Sequence, residues 1–132
     1  MTWLWVALGG GIGSMLRYGC GRVLASWSDD WPLGTFCVNL LGAFLLGLLF
    51  EVGAGRQWGG VDVRVPLGAG LMGGFTTYSS FSLEVAVLLQ RGHTVRGLFY
   101  LGATVSLGLL ASFVGLALGR ALAGLGVGGG GG

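Results

Sequence analysis

Charged residues are scarce in this chain, at 9% of its 132 residues, whereas soluble domains carry about 25%. Lysine is absent, so all seven basic residues are arginines. These arginines form no basic run, which argues against nucleic acid as a partner. No stretch outside the apolar segments is long enough for a soluble domain. The composition therefore indicates an integral membrane protein whose solvent is the lipid bilayer.

Residues suited to catalysis or to transition metals are also few. His93 is the only histidine, and no cysteine, histidine or carboxylate cluster surrounds it in the sequence. A catalytic triad or a zinc site is therefore not supported. Cys20 and Cys37 lie in apolar segments, where packing is their usual role. We predict that the protein is not an enzyme. No basic stretch precedes Arg17, so a cleaved signal peptide is not expected.

Four apolar segments follow one another, each near the 20 residues that span a bilayer. They are apolar on every face, which favours helices over barrel strands of alternating polarity. We predict an all-α membrane protein with one domain of four helices over residues 1–120 and a disordered, glycine-rich tail over residues 121–132. The predicted spans are about Trp3–Val23, Leu33–Val52, Val65–Leu89 and Gly97–Leu118.

The third segment is a poor continuous helix near its middle. Gly73 and Gly74 each cost about 1 kcal/mol relative to alanine in a helix. Four serine and threonine side chains between Thr76 and Ser80 then compete for backbone hydrogen bonds. Membranes tolerate a broken helix only where protein or water surrounds the break, and such breaks hold ions. We therefore predict a broken third helix at an ion site, with a kinked helix packed through its small residues as the alternative.

Several polar side chains fall inside the predicted spans. Asn39 is the only amide in any span, and it either joins helices or lines a path as a donor. Arg17 either snorkels to the interface or lines a polar vestibule. Tyr78 and Phe81 share a helical face at i,i+3, although aromatic residues at this spacing are more often core. The fourth segment carries a thin polar stripe at a spacing of four residues: Tyr100, Thr104, Gly108 and Ser112.

The arginines do not decide which way the chain inserts. With four spans, three of them fall on each side of the membrane, which leaves the positive-inside rule without a preference. A chain that inserts both ways can form an antiparallel dimer, which is an inverted repeat built from two chains. The two groups are Arg56, Arg64 and Arg120 on one side, and Arg22, Arg91 and Arg96 on the other.

Three stretches of the sequence resemble motifs of the small bacterial fluoride channels, the Fluc or CrcB family. The stretch GLMGGFTTYSSFS at Gly70–Ser82 is similar to the signature of that family. GTFCVNLLG at Gly34–Gly42 and GGIGSMLRY at Gly10–Tyr18 resemble its second-span and first-span motifs. The resemblance extends over about Gly9–Ser112, and three motifs in the family's order are highly specific.

The resemblance implies a function and an assembly. The chain would form an antiparallel, dual-topology homodimer in the bacterial inner membrane, with several spans per chain. Two pores would let fluoride leave the cell passively. A central structural Na⁺ would be held by the backbone carbonyls of Gly73 and Thr76 from both subunits.

The resemblance also implies which residues line the ion path. Tyr78 departs from the phenylalanine usual in the family, and Gly108 sits where a hydroxyl is expected. Ring edges are positive and hydroxyls donate hydrogen bonds, so an uncharged path of this kind can hold an anion without trapping it. Arg17 is assigned to the vestibule. The predicted path consists of Asn39, Thr77, Tyr78, Ser80, Phe81, Tyr100, Thr104 and Ser112.

Two other functions are compatible with four apolar spans. A small dual-topology, proton-coupled exporter of the multidrug type needs a titratable carboxylate within a span, typically the first. Glu84, toward the far end of the third segment, is the only candidate. A structural subunit without transport would need neither the broken span nor the polar stripe.

Overall fold

The structure is a computed structural model that describes residues 1–27 and 31–127. Helix α1 spans Thr2–Ala25, and helix α2 spans Leu33–Val52. A linker hairpin of strands β1 (Gln57–Trp58) and β2 (Val61–Asp62) follows. The third segment begins as a π-helix, Val65–Met72, continues as the short helix α3 (Gly73–Phe75), and resumes as α4 (Tyr78–Gln90). Helix α5 spans Thr94–Val127.

The fold agrees with the predicted all-α membrane protein, and the linker hairpin is its only sheet among the described residues. Two helical stretches, Leu33–Val52 and Thr94–Leu125, are long and apolar enough to cross a membrane. The third segment contains no single long helix because it is interrupted. Large apolar side chains such as Trp3 and Phe113 are exposed, as expected where lipid is the surrounding medium. That all four segments cross the membrane stays a prediction.

Close backbone contacts join α1 to the third segment. A Cβ atom at Gly13 would collide with the carbonyl oxygen of Leu71, and one at Gly74 would collide with the carbonyl oxygen of Gly10. Small residues at four-residue spacing permit such approach in lipid, where dispersion contacts drive helix association. The glycines of α1 therefore hold the first half of the third segment against it.

Helices α2 and α5 also pack closely, because glycines on each helix let the two backbones approach. A Cβ atom at Gly47 would lie 2.5 Å from the carbonyl oxygen of Ser112, and one at Gly115 would strike the carbonyl oxygen of Phe44. The hydroxyl of Ser112 donates to the carbonyl of Ala43 at 3.4 Å. This pair forms the scaffold against which α4 is placed.

The predicted break in the third helix is confirmed, but it lies after the glycine pair. Gly73 has helical dihedral angles (φ −62°, ψ −37°). Thr76 (φ −79°, ψ 158°) and Thr77 (φ −149°, ψ 114°) are extended. Gly74 contributes close packing on α1 instead of interrupting the helix.

Helix α5 continues past Arg120 to Val127. Residues 121–127 are therefore helical, and the prediction that disorder begins at residue 121 is wrong for this stretch. Alanine and leucine in this segment are strong helix formers. The final glycines of the predicted tail, residues 128–132, lie outside the described residues.

The linker hairpin is a tight, ordered turn between α2 and the third segment. Gln57 pairs with Asp62 across it. Gly59 and Gly60 have φ of +56° and +78°, the left-handed conformation that a two-residue type I′ turn requires at both positions. Asp62 accepts hydrogen bonds from the backbone N–H and from Nε of Arg64, at 2.9 and 3.0 Å. These bonds lower the pKa of Asp62 to about 2.

Candidate functional site

The break in the third segment is held by Asn39 on α2. Its Oδ1 accepts from the backbone N–H of Thr77 at 2.8 Å, and its Nδ2 donates to the carbonyl of Thr77 at 3.0 Å. The amide oxygen thus replaces the helical acceptor that the N–H of Thr77 loses at the break, and the amide nitrogen adds a second bond to the same residue. Of the two roles open to Asn39 on sequence grounds, joining helices is the one that this geometry displays.

The hydroxyl of Thr77 begins the helix that follows the break. It accepts from the backbone N–H of Ser80 at 3.2 Å, which is the usual N-cap bond. It also donates to the hydroxyl of Ser80 at 3.1 Å. The hydroxyl of Thr76 turns the other way and donates to the carbonyl of Met72 at 2.9 Å. The two threonines therefore terminate one helix and start the next.

These bonds free the carbonyls of Gly73 and Thr76 from their ordinary helical donors. In a continuous helix each carbonyl accepts from the N–H four residues later. The N–H of Thr77 instead donates to Asn39, and the N–H of Ser80 donates to the hydroxyl of Thr77. Among the described residues, no group of three or more His, Cys, Asp or Glu side chains could hold a metal ion. Freed backbone carbonyls are the oxygen ligands available here.

A groove of about 390 Å³ runs beside the break, between α2, α4 and α5. Six of the eight residues predicted for the ion path line it. The hydroxyl oxygen Oγ1 of Thr104 is buried and has no hydrogen-bond partner among the described residues. The lining residues are Asn39, Gly42, Ala43, Leu46, Thr76, Thr77, Tyr78, Phe81, Thr104, Val105 and Ser112.

The two predicted ring residues both border the groove, but they differ in exposure. Phe81 is only 6% exposed, whereas Tyr78 is 82% exposed. Their ring centroids lie 6.3 Å apart with an interplanar angle of 60°. On its other side, Phe81 meets the ring of Tyr100 in a T-shaped contact at 5.2 Å. Phe81 is thus fixed between neighbours, while Tyr78 projects away from the chain.

Tyr100 lies outside the groove and takes part in a cluster that the sequence did not reveal. Its hydroxyl donates to Oε2 of Glu84 at 2.8 Å, and the hydroxyl of Thr35 donates to Oε1 of Glu84 at 2.7 Å. Trp31 packs against Tyr100 at 5.4 Å. In the sequence, Thr35 lies four residues before Asn39 and therefore on the same face of α2, which could have marked Thr35 as a polar residue of the protein interior. Nothing in the sequence links Glu84 to Thr35.

A second cavity of about 400 Å³ lies between α1, α2 and the start of α4. It contains Arg17, the predicted vestibule residue, together with Ser80. Arg22 also lines it, although the sequence marks Arg22 only as a residue near the end of a span. Thr77 borders both this vestibule and the groove. The residue that is bound to Asn39 thus lies between the two cavities and lines both of them.

Comparison with known proteins agrees with the motifs. A family described as "CrcB-like protein, Camphor Resistance (CrcB)" matches residues 4–116. A protein of Allorhizobium ampelinum named fluoride-specific ion channel FluC is 44% identical over 118 residues, covering 89% of this chain and 94% of its own length. Proteins of the same name from Novosphingobium aromaticivorans and from Rhizobium leguminosarum bv. trifolii are 43% and 45% identical. They cover 89% and 91% of this chain, and 95% and 97% of their own lengths. The chain belongs to the CrcB-like family.

Proposed function

We propose that this protein is a fluoride-selective channel that lets cytoplasmic fluoride leave a bacterial cell passively across the inner membrane. The names of its relatives and its membership in the family support a channel for this anion. The membrane character of the helices supports a multi-pass protein. Neither the names nor the sequence point to an enzymatic activity.

The observation that carries the proposal is that Thr77 borders both the vestibule and the groove. The vestibule brings Arg17 and Ser80 to one side of this residue, and the groove brings Phe81 and Thr104 to the other. In this proposal a small anion enters beside an arginine and passes from one cavity to the other at Thr77, with polar groups on both sides. This path passes the broken helix, where irregular backbone can line an ion path.

The groups along this path suit fluoride. The hydroxyls of Ser80 and Thr104 can donate to an anion, and among the described residues Oγ1 of Thr104 has no competing hydrogen-bond partner. The rings of Tyr78 and Phe81 can turn their positive edges toward it. No lysine or arginine lies in the groove itself. Conduction needs binding that replaces water yet still releases the ion, and uncharged donors meet that requirement.

A second, inverted copy of the chain completes the pore in this proposal. The groove is open along one side, and the ring of Tyr78 is 82% exposed beside it. Protein covers such an open groove better than lipid does, because lipid offers no hydrogen bonds to the polar groups in it. Two copies related by a two-fold axis would each contribute one groove, which gives two pores.

In the same assembly we propose a central structural sodium ion. The carbonyls of Gly73 and Thr76 have lost their helical donors, and the C-terminal end of a helix carries partial negative charge. Unwound carbonyls and half-helix ends are typical ligands for Na⁺ in membrane proteins. The ion would join the two broken segments at the symmetry axis. Gly73 and Thr76 of each copy would hold it.

Fluoride flux from liposomes tests the function. Purified protein in vesicles loaded with fluoride should release it without a proton gradient and should not release chloride at a comparable rate. The contrasting case is the proton-coupled exporter, for which Glu84 would be the carrier carboxylate. Release that requires a proton gradient, or no fluoride release at all, would contradict the channel.

A further inference from the structure

Away from the ion path, an apolar groove of about 310 Å³ lies between α2, the π-helix and the end of α5. Its lining is almost wholly aliphatic and includes Leu45, Leu49 and Val52 of α2, Leu67 and Leu71 of the π-helix, and Leu122 of α5. It shares no residue with the groove of the ion path. A molecule bound in the apolar groove would therefore not contact the groove of the proposed ion path.

The apolar groove lies at the hairpin end of the molecule. Val52 is the last residue of α2, and Leu67 lies in the first turn of the π-helix. The linker hairpin joins these two residues along the chain. From Leu45 to Val52 the helix rises about 10 Å, which is about two thirds of the apolar depth of one bilayer leaflet. The groove thus runs from the linker into one leaflet.

The charges beside this end of the apolar groove leave one arginine uncompensated. Arg64 pairs with Asp62 and lies over the ring of Phe50 at 5.8 Å. Arg120, two residues before the groove residue Leu122, donates to Glu51 at 2.9 Å. Arg56 is exposed at the base of the hairpin, where its carbonyl accepts from the N–H of Val63 at 3.1 Å. Its guanidinium has no ion-pair partner in the part of the chain that the structure describes.

We propose that this end of the protein binds one anionic phospholipid. An acyl chain occupies the apolar groove, and the lipid phosphate pairs with Arg56. Trp58, exposed on the hairpin, lies at the depth where aromatic residues meet the headgroups. Three arginines against two carboxylates at this end leave a charge of +1, which matches a single phosphodiester.

The size of the apolar groove favours a lipid chain over a second copy of the protein. A helix about 10 Å wide would need about 800 Å³ over the same length, far more than the volume of the groove. An acyl chain is narrow and flexible, and it gains dispersion contacts with aliphatic walls. The phosphate contributes the directional part of the interaction, because arginine pairs well with phosphate oxygens.

Native mass spectrometry of the intact purified protein tests the site. We expect phosphatidylglycerol to bind about fivefold more tightly than phosphatidylcholine with the same acyl chains, the factor for one arginine near an anionic headgroup. Arg56→Gln should abolish this preference. Arg91→Gln, which removes an exposed arginine from the opposite linker, should leave it intact. Equal binding of the two lipids by the wild type, or an equal loss in the two variants, would overturn the role of Arg56.

A second pair of variants tests the acyl chain. Leu122→Trp, which fills the apolar groove, should weaken the binding of both lipids. Leu125→Trp lies on the same helical extension, is 77% exposed and does not line the groove, so it should have no effect. If glycerol phosphate competes as well as whole lipid, the acyl chain is not held in the groove. If Leu122→Trp changes dimer formation and not lipid binding, a second copy occupies the groove. Either result would overturn the proposal, and fluoride flux is measured separately.

Discussion

The side-chain amide of Asn39 forms two hydrogen bonds with the backbone of a single residue, Thr77, across 38 positions of the chain. The pairing is reciprocal, because the amide both accepts from the N–H and donates to the carbonyl. It gives the N–H of Thr77, which the interrupted helix leaves without its usual acceptor, a hydrogen-bond partner, and it adds a bond to the carbonyl of the same residue. In hydrocarbon such groups cost several kcal/mol when unsatisfied, so this one contact allows the third segment to break where it does.

We therefore expect that replacement of Asn39 acts mainly by lowering the stability of the protein and not by a direct change in the proposed ion path. Asn39→Ala leaves the N–H of the buried Thr77 unpaired, at a cost of about 1–3 kcal/mol, and removes one bond to its carbonyl. Asn39→Asp keeps the acceptor but introduces a carboxylate inside a membrane span, which costs about 2.5–3.5 kcal/mol, so it should be destabilising as well. Denaturation midpoints in detergent, with fluoride flux measured in parallel, give the comparison. An Asn39→Ala protein of wild-type stability that has lost its flux would assign the amide to the ion path.

The sequence predicted the broken helix but not the position of the break. Gly73 and Gly74 lower helix propensity locally, and they were the strongest signal in the segment. The position depends on Asn39, a distant residue whose contact only the tertiary structure reveals. The same holds for Glu84, whose partners Thr35 and Tyr100 come from two other helices. Periodicity predicted a shared helical face for Tyr78 and Phe81, and both line the groove. It could not predict their contrast in exposure, which arises because Tyr100 packs against Phe81.

The ring residues allow a prediction about ion coordination. Phe81→Ile should lower fluoride flux by at least about tenfold, the factor that corresponds to a loss of about 1.4 kcal/mol, because the proposed ion path loses the ring edge that would face the ion. Tyr78→Phe should conduct at a similar order of magnitude to the wild type, and Tyr78→Ala should not. Initial rates of fluoride efflux from liposomes measure all three. An inactive Tyr78→Phe protein would make the hydroxyl essential, and wild-type flux in Phe81→Ile would remove this ring from the path.

The glycine contacts between α1 and the third segment predict a sharp difference between two alanine substitutions. Gly13→Ala places a methyl group against the carbonyl of Leu71 and within 2.8 Å of the N–H nitrogen of Phe75. Overpacking of this kind costs about 1–3 kcal/mol, and it should also shift the break and lower flux. Gly19→Ala on the same helix meets no atom within 4 Å. It should be neutral or stabilising, by up to about 1 kcal/mol. Equal thermal stability of the two variants would contradict this packing.

The ion pair at the hairpin predicts a change at low pH. Hydrogen bonds from Arg64 hold the pKa of Asp62 at about 2, below its ordinary value of 3.8. A lowered folded-state pKa stabilises the fold fully above the ordinary value, and this contribution is lost as pH falls toward 2. Emission from Trp58, with the other four tryptophans replaced by phenylalanine, should report loosening of the hairpin in this range. Asp62→Asn should remove the pH-dependent step, and a step that persists in this variant would point to another group.

The balance of arginines predicts that the chain inserts in both orientations, and two variants can separate them. Arg91→Ser with Gln57→Lys leaves four basic residues on the hairpin side and two on the other. Arg56→Ser with Gln90→Lys reverses the numbers. All four positions are exposed, and Arg64 with its partner Asp62 remains untouched, so the fold should tolerate both sets. Because small changes in Lys and Arg can fix a topology, each variant should insert mostly one way.

Fluoride flux then tests whether the channel needs one copy of the chain in each orientation. A variant that inserts in one orientation has no inverted partner, so each should lose fluoride flux when it is expressed alone. Expressed together, the two should rebuild the antiparallel pair and recover flux toward the wild-type rate. Cysteine labelling of the two linkers from one side of the membrane verifies the orientation of each. A variant that is uniformly oriented and still conducts alone would exclude the antiparallel dimer. It would also exclude a sodium ion shared between two inverted copies, since the carbonyls of Gly73 and Thr76 would then come from parallel chains.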